Sequence, residues 1–150
     1  MTPTIRPSSA TDTDALAAIA DVNLFPADLL TPMIAPFLSG APALWLTAER
    51  GGRVCGFAFA EPEPLTDATW NLRVIAADPA GQGTGRALLD AAERTLHKNG
   101  AGLLIIDTTQ TEAQNAARRL YLSSGYAQVG HIQDFFAKGE DRVTFAKRLT

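Results

Sequence analysis

A short glycine-rich segment between an apolar run and an amphipathic stretch constrains the fold of this chain most. The apolar run covers 70–77, a helix pattern follows to Lys98, and between them stand Gly81, Gly83 and Gly85. Glycines lack the Cβ atoms that would keep a ligand away from the main chain. A helix start adds unpaired N–H groups and the positive end of a dipole. The segment therefore predicts a strand, a turn and a helix that together bind an anion such as phosphate or pyrophosphate.

Length and composition limit the class of protein. The chain has 150 residues, which is enough for one hydrophobic core but too few for two, so we expect a single domain over 1–150. Apolar residues make up 46% and charged residues 19%, a balance too hydrophobic for a disordered chain. The net charge of −3 argues against nucleic acid or a membrane surface as the main partner.

Cysteine and histidine usage excludes two further kinds of site. Cys55 is the one cysteine, so no intrachain disulfide is expected and a reducing compartment is the simpler assignment. Two histidines far apart leave no cluster with metal-ligand spacing, so we expect no metal. No apolar run approaches the ~20 residues of a membrane span, and residues 1–7 do not look like a signal peptide. We therefore expect a cytoplasmic protein.

Hydrophobic periodicity predicts the order strand, two helices, three strands, helix, strand, helix, two strands. The strands are expected near 4–6, 44–48, 53–60, 70–77, 103–108, 126–132 and 142–149, and the helices near 12–22, 27–38, 85–98 and 112–124. Hairpin-connected strands come first, and one helix then joins two strands that should run parallel. The fold class is therefore α+β, a mixed and mainly antiparallel sheet of six or seven strands with helices on both faces.

The glycine turn reads Gln82-Gly83-Thr84-Gly85-Arg86-Ala87 and resembles the Q/R-x-x-G-x-G/A turn of the GNAT superfamily, the acyl-CoA-dependent N-acyltransferases. The resemblance implies that main-chain N–H groups of these residues bind the pyrophosphate of coenzyme A. The spacing to Leu88 and Leu89 is two residues shorter than in the common family form. If the leucines set the alignment instead, Ala80 stands where the family has Gln or Arg, and one side-chain contact is lost.

A second segment, Gln114-Asn115-Ala116-Ala117-Arg118-Arg119-Leu120-Tyr121, looks like the family's N-x-x-A-x-x-L-Y helix. The resemblance places Tyr121 at the general acid, and a phenol suits this role because a departing thiolate is basic enough to take its proton. The alternative is a buried aromatic whose hydroxyl bonds the main chain. Gln114 stands where asparagine is usual, and Asn115 follows it. The resemblance implies that this pair contacts the pantetheine arm of the coenzyme.

The resemblance also concerns the middle of the sheet. It implies that strands 70–77 and 103–108 splay apart and that Val74, Ile75 and Ala76 pair through their main chain with pantetheine, as an added strand would. A main-chain N–H at this point would stabilise the oxyanion that develops on the acyl group.

A third segment, Ile132-Gln133-Asp134-Phe135-Phe136 with the strand after it, resembles the C-terminal hairpin of one bacterial branch of the superfamily. The resemblance implies that Asp134 and Phe135 line the mouth of the acceptor site. A turn residue and a core plug are the alternatives for these two positions.

The general base is left open by the sequence. An amine is largely protonated at neutral pH, so a group must take its proton before attack. The candidates, acting directly or through a water that Asn71 could hold, are Asp107, Asp134, Glu61 and Glu63, and His131 has the right chemistry but an ordinary structural setting. Cys55 has no neighbouring motif that suggests a base, so no acyl-cysteine is expected.

The sequence thus predicts transfer of an acyl group, with acetyl as the first choice, from acyl-CoA to an amine in a ternary complex. The co-substrate is acetyl-CoA, and the acceptor is a small-molecule or peptide amine whose pocket is expected to involve 24–38, 61–67 and 133–141. A non-catalytic acyl-CoA-binding domain of the same fold is the alternative. A dinucleotide site is disfavoured because Arg86 or Leu88 stands where it needs a third glycine or alanine. The oligomeric state is open, with a homodimer among the alternatives.

Overall fold

The computed structural model describes residues 2–23 and 25–150, so Leu24, the first residue of the expected pocket segment 24–38, lies outside the described residues. The strands are β1 (Thr4–Pro7), β2 (Leu44–Arg50), β3 (Arg53–Pro62), β4 (Thr69–Ala77), β5 (Leu103–Thr109), β6 (Ala127–Ala137) and β7 (Glu140–Arg148). The α-helices are α1 (Thr13–Val22), α2 (Leu30–Leu38), α3 (Thr84–Lys98) and α4 (Asn115–Ser123). Short 3₁₀ turns lead into α1, α2 and α4.

The seven strands form one sheet in the order β1-β2-β3-β4-β5-β7-β6. β4 and β5 run parallel, and each of the other neighbouring pairs is antiparallel. The parallel pair arises because α3 carries the chain from the end of β4 back to the start of β5. The predicted α+β fold with a mixed, mainly antiparallel sheet is confirmed.

β4 and β5 pair along only part of their length. Their pairing runs from Thr69 opposite Leu103 to Leu72 opposite Ile106 and then stops, so 73–77 and 107–109 diverge. A β-bulge lies at the same level, because β3 pairs with Leu72 and then with Val74 and so skips Arg73. Bulges bend a strand and increase its twist. The bulge is therefore placed to turn β4 away from β5, and the predicted splay is confirmed.

Side chains that alternate along the strands build one hydrophobic core on each face of the sheet. On the face that we call the α3 face, the strands pack against α3 and α4 through Leu46, Ala58, Leu72, Leu88, Leu89 and Tyr121. On the opposite α1 face, they pack against α1 and α2 through Leu16, Ile34, Trp45, Phe57 and Phe59. Helices therefore cover both faces, as predicted.

The α1 face is only partly covered by helices. α1 and α2 pack mainly over β2, β3 and β4. On β5 and β7 the α3 face carries the core residues Leu104, Ile106, Val143 and Phe145. The alternate positions on the α1 face include Asp107 opposite Thr144 and Thr109 opposite Arg142. Polar side chains thus stand on the uncovered half of the α1 face, beside the point where β4 and β5 separate.

Two element boundaries differ from the sequence expectation. The proline-punctuated stretch 27–38 is a 3₁₀ turn followed by α2, which keeps Pro36 inside its last turn. α3 begins at Thr84 rather than Gly85, because Gly83 with φ 79° forms the N-cap. Within the described ranges, no helix combines the length and apolar character needed to cross a bilayer.

Candidate functional site

The glycine turn ends in a helix start with open main-chain donors. Gly81 and Gly83 have φ of 78° and 79°, a conformation that glycine adopts without steric cost. In the part of the chain that the structure describes, the N–H groups from Gly83 to Arg86 have no acceptor, and the first engaged amide is that of Ala87, 3.1 Å from the Gly83 carbonyl. Open amides at the positive end of α3 form a site for an anion.

The structure differs from the sequence prediction at two positions of the glycine turn, Ala87 and Gln82. Ala87 cannot bind pyrophosphate through its N–H, because that group already caps the first turn of α3. The side-chain oxygen of Gln82 accepts a hydrogen bond from Arg50 at 3.1 Å. Ala80 and Gly81 line the cavity at the turn instead. This geometry matches the alignment set by the two leucines, with Ala80 in the place of the family's Gln or Arg.

Arg50, at the end of β2, forms hydrogen bonds to the glycine turn from the side of the sheet. Its guanidinium donates to the main-chain oxygen of Gln82 at 3.1 Å and to the hydroxyl of Thr84 at 3.2 Å. The Thr84 side chain is 1% exposed and faces the sheet, so Thr84 can offer a ligand only its main chain. Arg50 was missed by sequence reasoning because nothing in the hairpin sequence indicates a contact with a turn 32 residues further along.

A continuous cleft runs from the glycine turn into the gap between β4 and β5, and we call it the central cleft. Its two cavities, of about 370 and 220 Å³, share Asn23, Ile75 and Ala76. The predicted residues that line it are Val74, Ile75, Ala76, Gly83, Gly85, Arg86, Gln114 and Tyr121. Asn115 is exposed at the start of α4 and lines neither cavity, so the structure brings Gln114 rather than Asn115 to the cleft.

Tyr121 lies on α4 at the inner end of the central cleft. The residue is 4% exposed, and its ring packs against those of Tyr126 and Phe145 at centroid distances of 6.1 and 5.6 Å. No described residue forms a hydrogen bond with its hydroxyl, so the alternative of a hydroxyl tied to the main chain is wrong. Burial raises the pKa of this hydroxyl, which keeps Tyr121 protonated and able to donate.

Asp107 faces the cleft from the α1 face. Its Oδ1 accepts from the Thr144 hydroxyl at 2.6 Å, and its Oδ2 lies 3.5 Å from Asn71 Nδ2. Asp107 lines both the central cleft and a neighbouring cavity of about 280 Å³, which we call the polar cavity. The polar cavity is also lined by Asn71, Phe135 and Arg142. Asp107 is therefore the carboxylate that connects the two spaces.

Two buried atoms of the polar cavity, Asn71 Oδ1 and Arg142 Nε, have no hydrogen-bond partner within the described residues. Asn71 is 2% exposed and donates to Glu63 at 3.2 Å, but its Oδ1 accepts no hydrogen bond. Arg142 places its guanidinium 4.4 Å from the centre of the Phe135 ring, and its Nε lies 3.9 Å from Asp107 without a hydrogen bond. A buried polar group without a partner is costly, which points to a ligand that supplies the missing bonds.

Glu61 and Glu63 have a different environment from Asp107. Arg73, the bulge residue, lies 3.0 Å from Glu61 and 3.6 Å from Glu63. One guanidinium therefore holds both glutamates on the same side of β4. Arg73 itself lines the central cleft and the polar cavity, and the sequence analysis did not single it out.

Asp134 and His131 lie in the β6–β7 hairpin and line none of these cavities. Asp134, with φ 55°, accepts from the Gly139 N–H at 2.8 Å and donates its own N–H to Asp141 at 2.9 Å, as a turn residue does. The hydrogen bond from the Asp134 N–H lowers the pKa of Asp141 most, and the hydrogen bond with His131 at 2.6 Å lowers it further. Phe135 is 48% exposed, so the alternative of a core plug is wrong.

Tyr121 and Asp107 reach the gap from opposite faces of the sheet. A ligand threaded between β4 and β5 would meet a proton donor on the α3 face and a carboxylate on the α1 face. Across residues 2–23 and 25–150, no three His, Cys, Asp or Glu side chains are grouped so that they could hold a metal ion. The arrangement is suited to proton transfer on both sides of a bound acyl group.

Comparison with known proteins agrees with this geometry. The family model described as the acetyltransferase (GNAT) domain matches residues 41–128. No curated protein matches the chain in sequence. Among solved structures, one from Desulfovibrio desulfuricans, described as of the GNAT family, has a TM-score of 0.90 at 22% identity, covering 99% of each chain.

Two other solved structures carry more specific descriptions. The ribosomal-protein-S18-alanine N-acetyltransferase from Escherichia coli has a TM-score of 0.81 at 25% identity, covering 99% of this chain and 94% of its own. A structure from Salmonella typhimurium, solved with its cofactor acetyl-CoA, has a TM-score of 0.79 at 22% identity, covering 100% of this chain and 95% of its own. The similarity to each of them extends over nearly the whole chain.

Proposed function

Because the chain belongs to the GNAT acetyltransferase family, we propose that it transfers the acetyl group of acetyl-CoA to a primary amine by direct attack in a ternary complex. One observation carries the proposal. The central cleft joins the open amides at the start of α3 to the unpartnered hydroxyl of Tyr121, and Asp107 opens into it from the other face.

The residues of the cleft fit coenzyme A at two points. The N–H groups from Gly83 to Arg86 are donors for a diphosphate. The Arg86 guanidinium, which donates to the hydroxyls of Ser123 and Ser124, adds a positive charge nearby. Among the described residues, no strand pairs with the edge of β4 that faces the gap over 73–77, so its main chain can pair with the amides of pantetheine. When bound, the coenzyme supplies an activated thioester.

We propose that Asp107 serves as the base. Asp107 borders both the central cleft and the polar cavity, whereas Glu61, Glu63, Asp134 and His131 border neither. Asp107 takes a proton from the acceptor ammonium, directly or through a water beside Asn71. The amine nitrogen then bonds to the acyl carbon as the carbon–sulfur bond breaks.

Tyr121 serves as the acid and gives its proton to the departing sulfur. Two protons leave the acceptor nitrogen in all. One replaces the proton that Tyr121 donates, and the other passes through Asp107 to solvent, so the products are the amide, the thiol and one proton. A main-chain N–H of the open β4 edge stabilises the charge that develops on the acyl oxygen. A cytoplasmic location and a homodimer stay predictions.

Calorimetry with acetyl-CoA, followed by thiol-release assays with a panel of amines, tests the proposal. We expect acetyl-CoA to bind and at least one amine to be converted into its acetyl amide, identified by mass. Binding without conversion of any amine would indicate the non-catalytic acyl-CoA-binding domain instead. Absence of binding by folded protein would refute both. An acetylated Cys55 during turnover would replace direct attack with a two-step transfer.

A further inference from the structure

We propose that the acceptor is an α-amino acyl group, that is, an amine whose neighbouring carbon carries a carbonyl and an apolar side chain. This inference rests on the proposed function and names its acceptor class. Three separate features of the α1 face support it: an unsatisfied acceptor beside a carboxylate, a guanidinium whose buried Nε has no hydrogen bond among the described residues, and an apolar cavity next to both.

The first feature recognises the amine. The Oδ1 atom of Asn71 accepts no hydrogen bond from any described residue, although Asn71 is 2% exposed. The same side chain contacts Asp107, whose carboxylate lies on the boundary with the central cleft. An ammonium group donates three hydrogen bonds and carries the charge that Asp107 would balance. An ammonium beside Asn71 would therefore supply the missing donor.

The second feature recognises an acceptor atom close to the amine. Arg142 stacks on Phe135 and lines the same polar cavity, but its guanidinium donates to no oxygen of the described chain. A guanidinium has five N–H donors, and a carbonyl or carboxylate oxygen is their usual partner. Because Arg142 Nε lies 3.9 Å from Asp107, a ligand held by both residues has its oxygen close to its ammonium. An α-amino acyl group has this spacing.

The third feature recognises an apolar side chain. A cavity of about 480 Å³, which we call the apolar cavity, lies between α2 and the middle of the sheet. Its lining is mostly apolar, with Glu61 and Arg73 at the sheet side, and comprises Phe25, Pro32, Met33, Pro36, Phe59, Glu61, Arg73 and Val74. It shares Phe25, Arg73 and Val74 with the central cleft. A side chain placed there would leave its amine beside the open edge of β4. The size and composition fit a group such as leucine or phenylalanine.

The charges around these cavities favour an acceptor without a free carboxylate. Glu61, Glu63 and Asp107 face Arg73 and Arg142, and Arg73 is already engaged by the two glutamates. These five side chains therefore carry one negative charge in excess. The ammonium group of an acceptor neutralises this charge, whereas a free carboxylate on the same acceptor would restore it. The N-terminal residue of a peptide meets this condition better than a free amino acid does. Both share the α-amino acyl chemistry.

A panel of related amines tests the proposal. We expect phenylalaninamide to have a kcat/KM at least about tenfold above that of 2-phenylethylamine, which lacks the carbonyl, and of glycinamide, which lacks the side chain. A comparison of phenylalanine with a peptide that has an N-terminal phenylalanine shows whether the acceptor is a free amino acid or a peptide N-terminus. Faster turnover of either one supports the α-amino acyl class. Equal kcat/KM for phenylalaninamide and 2-phenylethylamine, or for phenylalaninamide and glycinamide, would overturn it.

Variants separate recognition from structural damage. Arg142→Gln should lower kcat/KM for phenylalaninamide about tenfold more than that for 2-phenylethylamine, since only the first has a carbonyl. Met33→Gln should impair phenylalaninamide but not glycinamide. Leu38→Gln makes a similar change on α2 at an exposed position outside the apolar cavity and should alter neither. Equal losses of kcat/KM for phenylalaninamide and 2-phenylethylamine would refute the contact assigned to Arg142. Equal losses for phenylalaninamide and glycinamide would refute the contact assigned to Met33.

The same assay distinguishes failure of the acceptor class from failure of the proposed function. Acetylation of a polyamine such as spermidine, with no turnover of any α-amino acyl compound, would refute the inference and leave the acetyltransferase proposal intact. Absence of turnover with every amine, despite bound acetyl-CoA, would refute both.

Discussion

The guanidinium of Arg50 donates a hydrogen bond to the main-chain carbonyl of Gln82 at 3.1 Å and so ties the end of β2 to the turn before α3. The same guanidinium also donates to the side chains of Gln82 and Thr84. Hydrogen bonds from a charged group are stronger than neutral ones. Arg50 therefore fixes the orientation of the amides that open into the central cleft, although it belongs to a distant hairpin.

Arg50→Ala should weaken the binding of acetyl-CoA. Loss of charge-assisted hydrogen bonds costs about 1.5–3 kcal/mol, which corresponds to a rise in Kd of about tenfold or more. Calorimetric titration measures the change. Arg53→Ala removes an exposed arginine from the same hairpin and should leave Kd unchanged. An unaltered Kd in a folded Arg50→Ala protein would contradict the role in positioning the turn.

Tyr121→Phe should lower kcat about 100-fold, the usual contribution of a positioned general acid, while acetyl-CoA binds as before. Thiol release under saturating substrates measures kcat. Tyr126→Phe is the matched control, because the Tyr126 hydroxyl donates to Glu93 at 2.8 Å away from the cleft. It should lower stability but not kcat. Similar rates for wild type and Tyr121→Phe would exclude Tyr121 as the acid.

Asp107→Asn should lower kcat/KM for the acceptor about 100-fold near neutral pH, because the amide cannot take the proton of the ammonium. The deficit should shrink as the pH approaches the pKa of the acceptor amine, where free amine is present in solution. Rates measured across this pH range test both statements. Asp134→Asn alters a turn carboxylate outside the cleft and should keep the wild-type profile. A pH-independent deficit in Asp107→Asn would indicate a structural role.

Gly56→Ala should destabilise the fold by about 1–3 kcal/mol. A Cβ at Gly56 would lie 2.9 Å from the Ala76 carbonyl oxygen and 2.8 Å from the Thr84 side chain, at the start of α3. Chemical denaturation measures the loss. Gly130→Ala is the control, because a Cβ there meets Thr144 at 3.6 Å, an ordinary contact distance. Equal stabilities of the two variants would show that α3 can shift without cost.

Asp12→Asn should remove a pH-dependent part of the stability. Hydrogen bonds from Arg6 at 2.7 and 2.8 Å lower the pKa of Asp12 from 3.8 to about 2. Because the folded-state pKa is depressed, the ion pair stabilises the fold fully above about pH 4, and this contribution disappears as the pH falls towards 2. We expect wild type to lose about 1–2 kcal/mol over that range, reduced by partial exposure of Arg6, and Asp12→Asn to lose less.

Thermal unfolding at pH 6 and pH 2.5 measures the difference. Asp14→Asn, an exposed change two residues further along in the first turn of α1, should keep the wild-type pH dependence. Parallel pH curves for wild type and Asp12→Asn would contradict the argument.

The predictions from sequence succeeded where one local segment carries the signal. The glycine turn, the amphipathic α3 and the apolar β5 are each defined by neighbouring residues, so the order of elements and the splayed pair could be predicted. Ala87 was assigned wrongly because the role of an amide depends on where the helix begins, and Gly83 moves that start forward. Helix boundaries are among the least certain features of a sequence.

The residues that the sequence did not reveal act through contacts between distant segments. Arg50, Arg73 and Arg142 each look like ordinary surface arginines in a strand. Arg50 hydrogen-bonds to the glycine turn, Arg73 is the bulge residue of β4, and Arg142 stacks on Phe135. Similarly, the choice of Asp107 among several carboxylates depends on which cavities it borders, which only the assembled sheet determines.

β4 and β5 separate beyond Leu72 and Ile106, which leaves a gap in the sheet between its two faces. The open amides at the start of α3 lie at one end of this gap, and in our proposal the acceptor amine approaches from the α1 face. Loops on the acceptor side can therefore change in length and chemistry without displacing the start of α3. Under the proposed function, the acyl donor and the acceptor are therefore bound by separate segments of the chain.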